Sequence, residues 1–232
     1  VPRLTIVTRI DRSGSHPIIR YRTEDHKDGR NQQGQKIQKQ DCSSLIIAFP
    51  PTLSALKAAN LKLSENEETV FTPMGLIDYF SGAVRLSTPR DLTFSAASAA
   101  PNIPTDAAGQ PVSFLYLFNT SNIATSWSWG PYRGNGTVEA AKTILKETLS
   151  RINKDPRDPA AVPKPVTDKD VVAFKKHDYF PHFDSQQLAD GWYGKFNALQ
   201  GQKNTYYASG LNGFETIEFA LRAGLDVVES YF

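Results

Sequence analysis

The stretch TYYASGLNGFETIEFALRAG, Thr205 to Gly224, sets a short apolar strand, a glycine turn at Ser209-Gly210 and a helix opening near Thr216 and Ile217 in close succession. A helix N-terminus carries roughly half a unit of positive charge and several N–H donors without partners. A strand that runs through glycine into such an N-terminus lets an anionic or electron-poor ligand approach the backbone closely. Gly210 and Gly213 give that access, and Gly224 lies on the helix's apolar stripe, where a missing side chain permits close packing on a sheet. The same order of elements also makes a plain glycine-rich bend in a core, and spacing alone leaves both readings open.

Other reactive side chains are sparse. His177 and His182 stand five apart, with Asp178 and Asp184 beside them. A metal site needs three or four converging ligands, so surface or hydrogen-bonding roles are expected and no metal is assigned. Cys42, the single cysteine, has no histidine near it in sequence and is expected to be a small buried hydrophobe rather than a nucleophile. Trp127 and Trp129 alternate along a strand-like segment and share a face. With Tyr79 and Tyr206 they are either core aromatics or the lining of a flat apolar pocket. The sequons at Asn119 and Asn135 are too common by chance to decide anything.

Composition limits the partners. The 232 residues carry a formal net charge of +2 and 40 % hydrophobic side chains, an ordinary globular balance. There is no basic stripe for nucleic acid and no apolar run near the roughly 20 residues of a membrane span. Nucleic-acid and membrane-spanning partners are therefore not expected, and the small-molecule partner comes only with the family resemblance given below. The opening, VPRLTIVTRI, has no methionine and reads as a strand entered in mid-course, so the chain is expected to be a fragment or to follow a processing site.

The elements that must position these residues follow from periodicity. RLTIVTRI and HPIIRYRT read as strands. Leu45–Phe49 is an apolar run stopped by Pro50 and Pro51, the pattern of a strand buried on both faces. Thr52–Ala59 reads as a short helix, and Ser64 with Glu67 three residues on is a capping box opening another. Strands are expected in MGLIDYFSGAVRLSTP, DLTFSAAS, VSFLYLFN and IATSWSWGPYRG. A helix capped by Thr137 follows, with Val138, Ala141, Ile144, Leu145, Leu149 and Ile152 on one face. A strand over Val171–Lys175, a helix from Gln186 to about Leu199 and a strand over Asn204–Ala208 lead to the last helix. That helix is striped by Ile217, Ala220, Leu221, Gly224, Val227, Val228 and Tyr231. The fold class is α/β, an α+β mixture with a mixed sheet.

Three segments together resemble the C-terminal part of the flavin-containing amine oxidase superfamily. In that family a strand ending in Ala-Gly precedes a helix with the pattern Glu-x-Ala-x-x-(Ala/Ser)-Gly, and Glu218, Ala220, Ala223 and Gly224 match it here. CSSLIIAFPPTLSAL is similar to the family's buried strand that ends in proline beside the cofactor. HDYFPHFDSQQLADGWYGKFNALQGQKNTYYASG resembles FAD-dependent oxidoreductases similar to beta-cyclopiazonate dehydrogenase. Leu211 stands where many members carry an acidic residue. Thr216, with Phe214 nearby, stands where amine oxidases often place a tyrosine, which weakens the case for a simple amine as substrate.

The resemblance implies part of a Rossmann-like FAD-binding domain over residues 1–59 and 200–232, with a mixed-sheet substrate domain over 60–199. It implies FAD held at Phe49, Pro50, Ser209, Gly210, Thr216 and Ile217, and a substrate beside Tyr79, Trp127, Trp129 and Tyr206. The reaction implied is hydride removal from an organic molecule, with no general base standing out. The G-x-G-x-x-G fingerprint of the pyrophosphate site does not occur in the sequence. That leaves an alternative, an α/β module that no longer binds FAD.

Overall fold

The computed structural model describes residues 3–25, 37–95, 109–213 and 216–232. It is a mixed α/β structure of two compact units. The first comprises Val1–Gly75 and Phe180–Phe232; the second comprises Leu76–Tyr179. These bounds differ from the expected 59/60 and 199/200. The reason is packing: Leu61, Val70, Phe71 and Met74, with Phe183, Trp192, Phe196 and Leu199, all enter the core of the first unit.

In the first unit, β1 (Arg3–Asp11), β2 (Ile18–Asp25) and β3 (Gln38–Asp41) form an antiparallel meander. The third strand has an all-exposed polar sequence and carries no apolar alternation by which to read it. A separate parallel pair joins β4 (Leu45–Ile47) to β10 (Thr205–Tyr207), in the register Leu45–Thr205, Ile46–Tyr206 and Ile47–Tyr207. Leu45, Ile47, Thr205 and Tyr207 are buried on one face. α1 (Leu53–Ala58) starts at Thr52, whose hydroxyl accepts from the Ala55 N–H. α2 (Glu65–Phe71) has the expected capping box at Ser64 and Glu67 and buries Val70 and Phe71.

The expected helix over 186–199 is two short ones, α4 (Ser185–Ala189) and α5 (Trp192–Asn197). Gly191 breaks it with a left-handed φ of 71°. Trp192, Phe196 and Leu199 are buried as the spacing predicted, but Leu188 lies on the far side of the break and is exposed. Trp192 stacks on Phe183 at 4.1 Å and on Phe196 at 5.0 Å, and its indole N–H donates to the Val70 carbonyl at 2.8 Å. Each such buried ring removes 150–250 Å² from water.

In the second unit a five-stranded sheet has the order β6 (Phe94–Ser95), β7 (Pro111–Leu115), β8 (Ile123–Tyr132), β5 (Gly75–Arg85), β9 (Val171–His182). The expected strand at DLTFSAAS is present over Phe94–Ser95, and its last residues lie outside the described ones. β9 runs seven residues beyond the expected end at Lys175. Proline breaks ladders in central strands, but β9 is the edge strand, where Pro181 is tolerated near the end.

α3 (Val138–Ile152) is capped by Thr137 as expected and buries Ala141, Leu145 and Leu149 at four-residue spacing. These cover one sheet face, where Phe80, Gly82 and Val84 of β5 pair with Ser128, Ser126 and Ala124 of β8. The odd-numbered residues of both strands point to the other face.

Candidate functional site

The first unit brings two of the sequence-predicted segments together at the carboxyl ends of its parallel pair. β4 runs out into Ala48, Phe49 and Pro50, and β10 into Ala208, Ser209 and Gly210, with the Ala208 N–H donating to the Ile47 carbonyl at 3.0 Å. Two residues groups far apart in sequence thereby reach the same end of one small sheet. In open α/β sheets that end is where ligands bind.

The turn after β10 is more constrained than a bare glycine bend. Gly210–Asn212 is a single 3-10 turn capped by Ser209, whose hydroxyl accepts from the Leu211 N–H at 3.3 Å. The Ser209 N–H donates to the Asn212 side-chain oxygen at 2.8 Å, and the Asn212 amide donates to the Tyr207 carbonyl at 2.9 Å. Ser209 is buried, and its hydroxyl and N–H are both engaged inside the turn. The Gly210 N–H has no hydrogen-bond partner among the described residues and is the donor the turn leaves free. Gly213 is explained differently from the expected access role: a Cβ there would meet the Phe219 ring at 3.2 Å, so this glycine makes room for Phe219.

α6 (Ile217–Tyr231) begins at Thr216, whose hydroxyl accepts from the Phe219 N–H at 3.3 Å. The N–H groups of Ile217 and Glu218 are the ordinary unpaired donors of a helix start, and Ile217 is 83 % exposed. Phe49 is partly exposed above the end of β4. Backbone donors without partners among the described residues thus stand at Gly210 and at the start of α6, and Phe49 and Pro50 follow the strand that pairs with β10. The Ser209 side chain is a structural brace for this turn.

A buried ionic cluster fixes β10. Arg12, just beyond β1, makes a two-pronged contact with Glu67 at 2.6 and 3.0 Å, and also donates to the Thr205 hydroxyl and the Lys62 carbonyl. The Tyr207 hydroxyl donates to Glu67 at 2.7 Å, and Ser64 supplies its N–H at 2.7 Å. Burial by itself would raise the Glu67 pKa. Hydrogen bonds from Arg12, the Ser64 N–H and Tyr207, with the Arg12 charge, outweigh it and bring the carboxyl down to about 2. Burial, and then the Glu67 charge, pushes the Tyr207 hydroxyl well above the usual phenol range. The Ser64–Glu67 half of this cluster is legible in the sequence; Arg12 and Tyr207 join it only through the fold.

The outer side of β10 is closed by one side chain. The Gln200 carboxamide accepts from the Tyr207 N–H at 2.8 Å and donates to its carbonyl at 2.9 Å, and the Gly201 N–H reaches the Thr205 carbonyl at 2.9 Å. Gln200→Ala leaves the Tyr207 N–H unpaired and its carbonyl with the Asn212 amide alone, and is expected to cost about 1–3 kcal/mol, read as a lowered urea midpoint at unchanged slope.

The sequence-predicted aromatics divide between the units. Tyr79 lies directly opposite Trp129, and Ser81 opposite Trp127, so these four share the face of the second unit's sheet that α3 does not cover. Tyr179 and His177 of β9 join them: Tyr79 and Tyr179 are 4.9 Å apart, and the Ser81 hydroxyl and His177 Nε2 are 3.1 Å apart. His177 thus takes the hydrogen-bonding role expected of it, whereas Tyr179 carries no sequence expectation because it lies beyond the expected strand end at Lys175; the i, i+2 spacing of the two is the signal. Tyr206 is in the first unit, where it packs on Tyr231 and Phe232 at 5.2 and 4.9 Å.

Among the described residues no three or more His, Cys, Asp or Glu side chains gather as metal ligands. Cys42 is half-buried rather than buried, because it follows the exposed strand β3 at the rim of the meander. No described helix is long and apolar enough to cross a membrane.

No family model matches the chain. It is 24 % identical over 180 residues to an uncharacterized protein of Acanthamoeba polyphaga mimivirus, covering 75 % of this chain and 34 % of that one. It is 26 % identical over 169 residues to an FAD-dependent oxidoreductase of Cochliobolus heterostrophus, covering 70 % and 33 %. The chain therefore spans about a third of the length of these curated relatives. Among solved structures, a fatty acid isomerase from P. acnes that produces CLA superposes with a TM-score of 0.75 at 18 % identity, covering 98 % of this chain and 47 % of that one. A putrescine oxidase variant redesigned in its cofactor binding superposes with a TM-score of 0.57 at 14 % identity, covering 97 % and 48 %. Over nearly its whole length, this chain has the mixed α/β fold of about half of each of these two enzymes.

Proposed function

We propose that the chain is part of an FAD-dependent oxidoreductase of the amine oxidase-like type, acting on a small organic molecule. The observation that carries this is the convergence of Phe49-Pro50 and Ser209-Gly210 at one end of the parallel pair, with the Gly210 N–H left free there. The likeness to an FAD-dependent oxidoreductase and to an oxidase fold supports it. FAD, when bound, supplies the hydride acceptor; the protein holds and tunes it. The Gly210 N–H and the donors at the start of α6 favour negative charge on the edge of a flat ring through hydrogen bonds and the helix dipole. Phe49 and Pro50 exclude water from that ring's apolar side. In the second unit, Tyr79, Trp127, Trp129 and Tyr179 offer a flat aromatic surface for the substrate, with the Ser81–His177 pair as its polar point.

The probe is riboflavin, which carries the ring without the pyrophosphate. The chain is expected to quench its fluorescence on binding. Gly210→Pro tests the seat cleanly. Proline suits the first position of a helical turn, and Ser209 already has the extended backbone, φ −138° and ψ −179°, that precedes proline. The turn should survive while the N–H is lost, and binding should weaken by roughly tenfold or more, as expected for a lost hydrogen bond in a partly buried site. Absence of quenching by both riboflavin and FAD, with the chain folded, would sink the proposal. It would favour the second reading, a module that no longer binds FAD.

A further inference from the structure

Three loops of the second unit meet at one end of its sheet. β5 runs out at Arg85, which pairs with Ile123 at the start of β8, and the Arg85 N–H donates to the Asp170 carbonyl just before β9. The Ser87 N–H donates to the side-chain oxygen of Asn153 at 2.6 Å, which brings the carboxyl end of α3 to the same place. The loops over 86–93, 116–122 and 153–170 therefore lie together.

Hydrogen bonds brace these loops against one another. Asn153 is buried, and its amide also donates to the Lys164 carbonyl at 3.1 Å. The hydroxyls of Tyr116 and Thr88 are 2.8 Å apart. Arg90 donates to the Asn119 carbonyl at 2.9 Å, and the Leu86 N–H to the Asn122 carbonyl at 3.1 Å. Arg157 pairs with Asp91 at 2.8 Å. At the apex of the β7–β8 hairpin the Ser121 N–H donates to the Phe118 carbonyl at 3.2 Å and closes a turn over 118–121.

This braced apex displays apolar side chains. Leu117 is 64 % exposed and Phe118 69 %, and Val162 in the neighbouring loop is 77 % exposed. Apolar residues scattered singly over a surface are ordinary. An adjacent pair at a hairpin apex is not, because turns draw on Gly, Pro, Asn, Asp and Ser. Asn119, Ser121 and Asn122 supply that chemistry here. The side chains of Leu117 and Phe118 join neither the turn nor the core of the second unit. The charges at this end are unequal. Arg90, Lys154, Lys164 and Lys169 make no ion pair among the described residues. The carboxylates are engaged: Asp91 and Asp155 by Arg157, and Asp168 by Lys142 and Lys146. Asp158 and Asp170 accept from backbone N–H groups of their own loop.

We propose that the apex of the β7–β8 hairpin anchors the second unit on the surface of an anionic lipid bilayer. Leu117 and Phe118 enter the boundary between headgroups and acyl chains, and Arg90, Lys164 and Lys169 meet the headgroup charge. An apolar insertion joined to a basic rim is the two-signal arrangement that gives stable interfacial binding. The bracing bonds hold the apex in place beforehand, so insertion has little loop to order. A stable protein interface uses roughly 20–30 residues a side, far more than this apex offers. The excess of cations also disfavours a second copy at this end. The inference concerns a surface of the second unit and does not rest on the flavin reading.

The test is sedimentation of the chain with vesicles of an equimolar mix of phosphatidylcholine and phosphatidylserine, and with vesicles of phosphatidylcholine alone. Binding is expected to the anionic vesicles and should fall as salt is added. Leu117→Ser with Phe118→Ser should weaken it by about 10-fold or more. Lys164→Gln with Lys169→Gln should weaken it by about 5-fold for each charge removed. All four side chains are exposed, and an unchanged urea midpoint shows that both double variants fold. Orientation is read with an environment-sensitive dye on a single introduced cysteine, in a Cys42→Ser background. The dye at Phe118→Cys should shift to the blue on anionic vesicles. The dye at Glu139→Cys, exposed at the opposite end of α3, should not. The inference is overturned if the folded chain binds neither vesicle, if the serine pair binds as well as the native chain, or if the two dyes shift alike. It is also overturned if the serine pair changes the oligomeric state of a chain that ignores vesicles, since the apex then contacts a second copy.

Discussion

Arg12→Ala lowers the unfolding free energy of the first unit by about 3–5 kcal/mol, because it strands the Glu67 carboxylate in the core without its cation. The loss is large for three reasons. Both side chains are almost wholly buried, at 2 % and 3 % exposure, so water cannot replace the missing partner. Glu67 also accepts from Tyr207 and from Ser64, so the strand and the helix cap lose their shared anchor together. Arg12 itself reaches Thr205 and the Lys62 carbonyl, and those acceptors lose a donor. Replacing the pair by Arg12→Met with Glu67→Leu should cost much less than either single change, since no charge remains to be left alone. Urea unfolding of the three variants forms a double-mutant cycle, and near-additive losses would show that the pair is not coupled.

The same cluster sets an acid limit. The folded-state pKa of Glu67 is about 2, below its ordinary value of 4.5. A depressed carboxylate binds protons more tightly when unfolded. Its contribution is therefore fully present above pH 4.5 and is lost as pH falls toward about 2. The urea midpoint should drop through that window in the native chain, and Glu67→Gln should flatten this part of the profile while lowering stability at neutral pH.

How much of this was legible in the sequence depends on whether a signal is local. The capping box at Ser64 and Glu67 and the cap at Thr137 are carried by residues three apart, and the structure has both. The two runs that end at Phe49-Pro50 and Ser209-Gly210 were readable as strands. That they lie side by side in parallel is tertiary, 160 residues apart in register. Arg12 looks like any arginine in a turn until α2 and β10 close around it. The single helix expected over 186–199 failed because apolar spacing was counted across Gly191, whose left-handed backbone ends one helix and starts the next. Gly213 and Gly224 stand out in the sequence, but the roles it suggests, ligand access and close packing on a sheet, differ from their surroundings among the described residues. One makes way for Phe219 inside the chain, and the other faces open space.

Gly109→Ala is expected to be the most damaging single-methyl change in the second unit. Two penalties combine there. Gly109 has φ +99°, which an L side chain rarely adopts, at a cost of about 1–3 kcal/mol. A Cβ at this site would also lie well inside contact distance of both Cα and Cβ of Ala141. Ala141 is fully buried on α3, so its backbone has no room to retreat without lifting Leu145 and Leu149 from the sheet. Overpacking of this kind adds about 1–3 kcal/mol, for a total of about 2–6 kcal/mol. Gly191→Ala is the matched control. Its φ is +71°, also left-handed, but a Cβ there meets nothing within 4 Å. It should cost only the backbone penalty, about 1 kcal/mol. Thermal unfolding followed by tryptophan fluorescence reads both: Gly109→Ala should disturb the environment of Trp127 and Trp129 on the adjacent strand, whose Trp129 carbonyl accepts from the Gly109 N–H at 3.4 Å. Equal losses at the two glycines would mean that α3 can move off the sheet freely, and that the approach of Ala141 to Gly109 does not fix the helix in place.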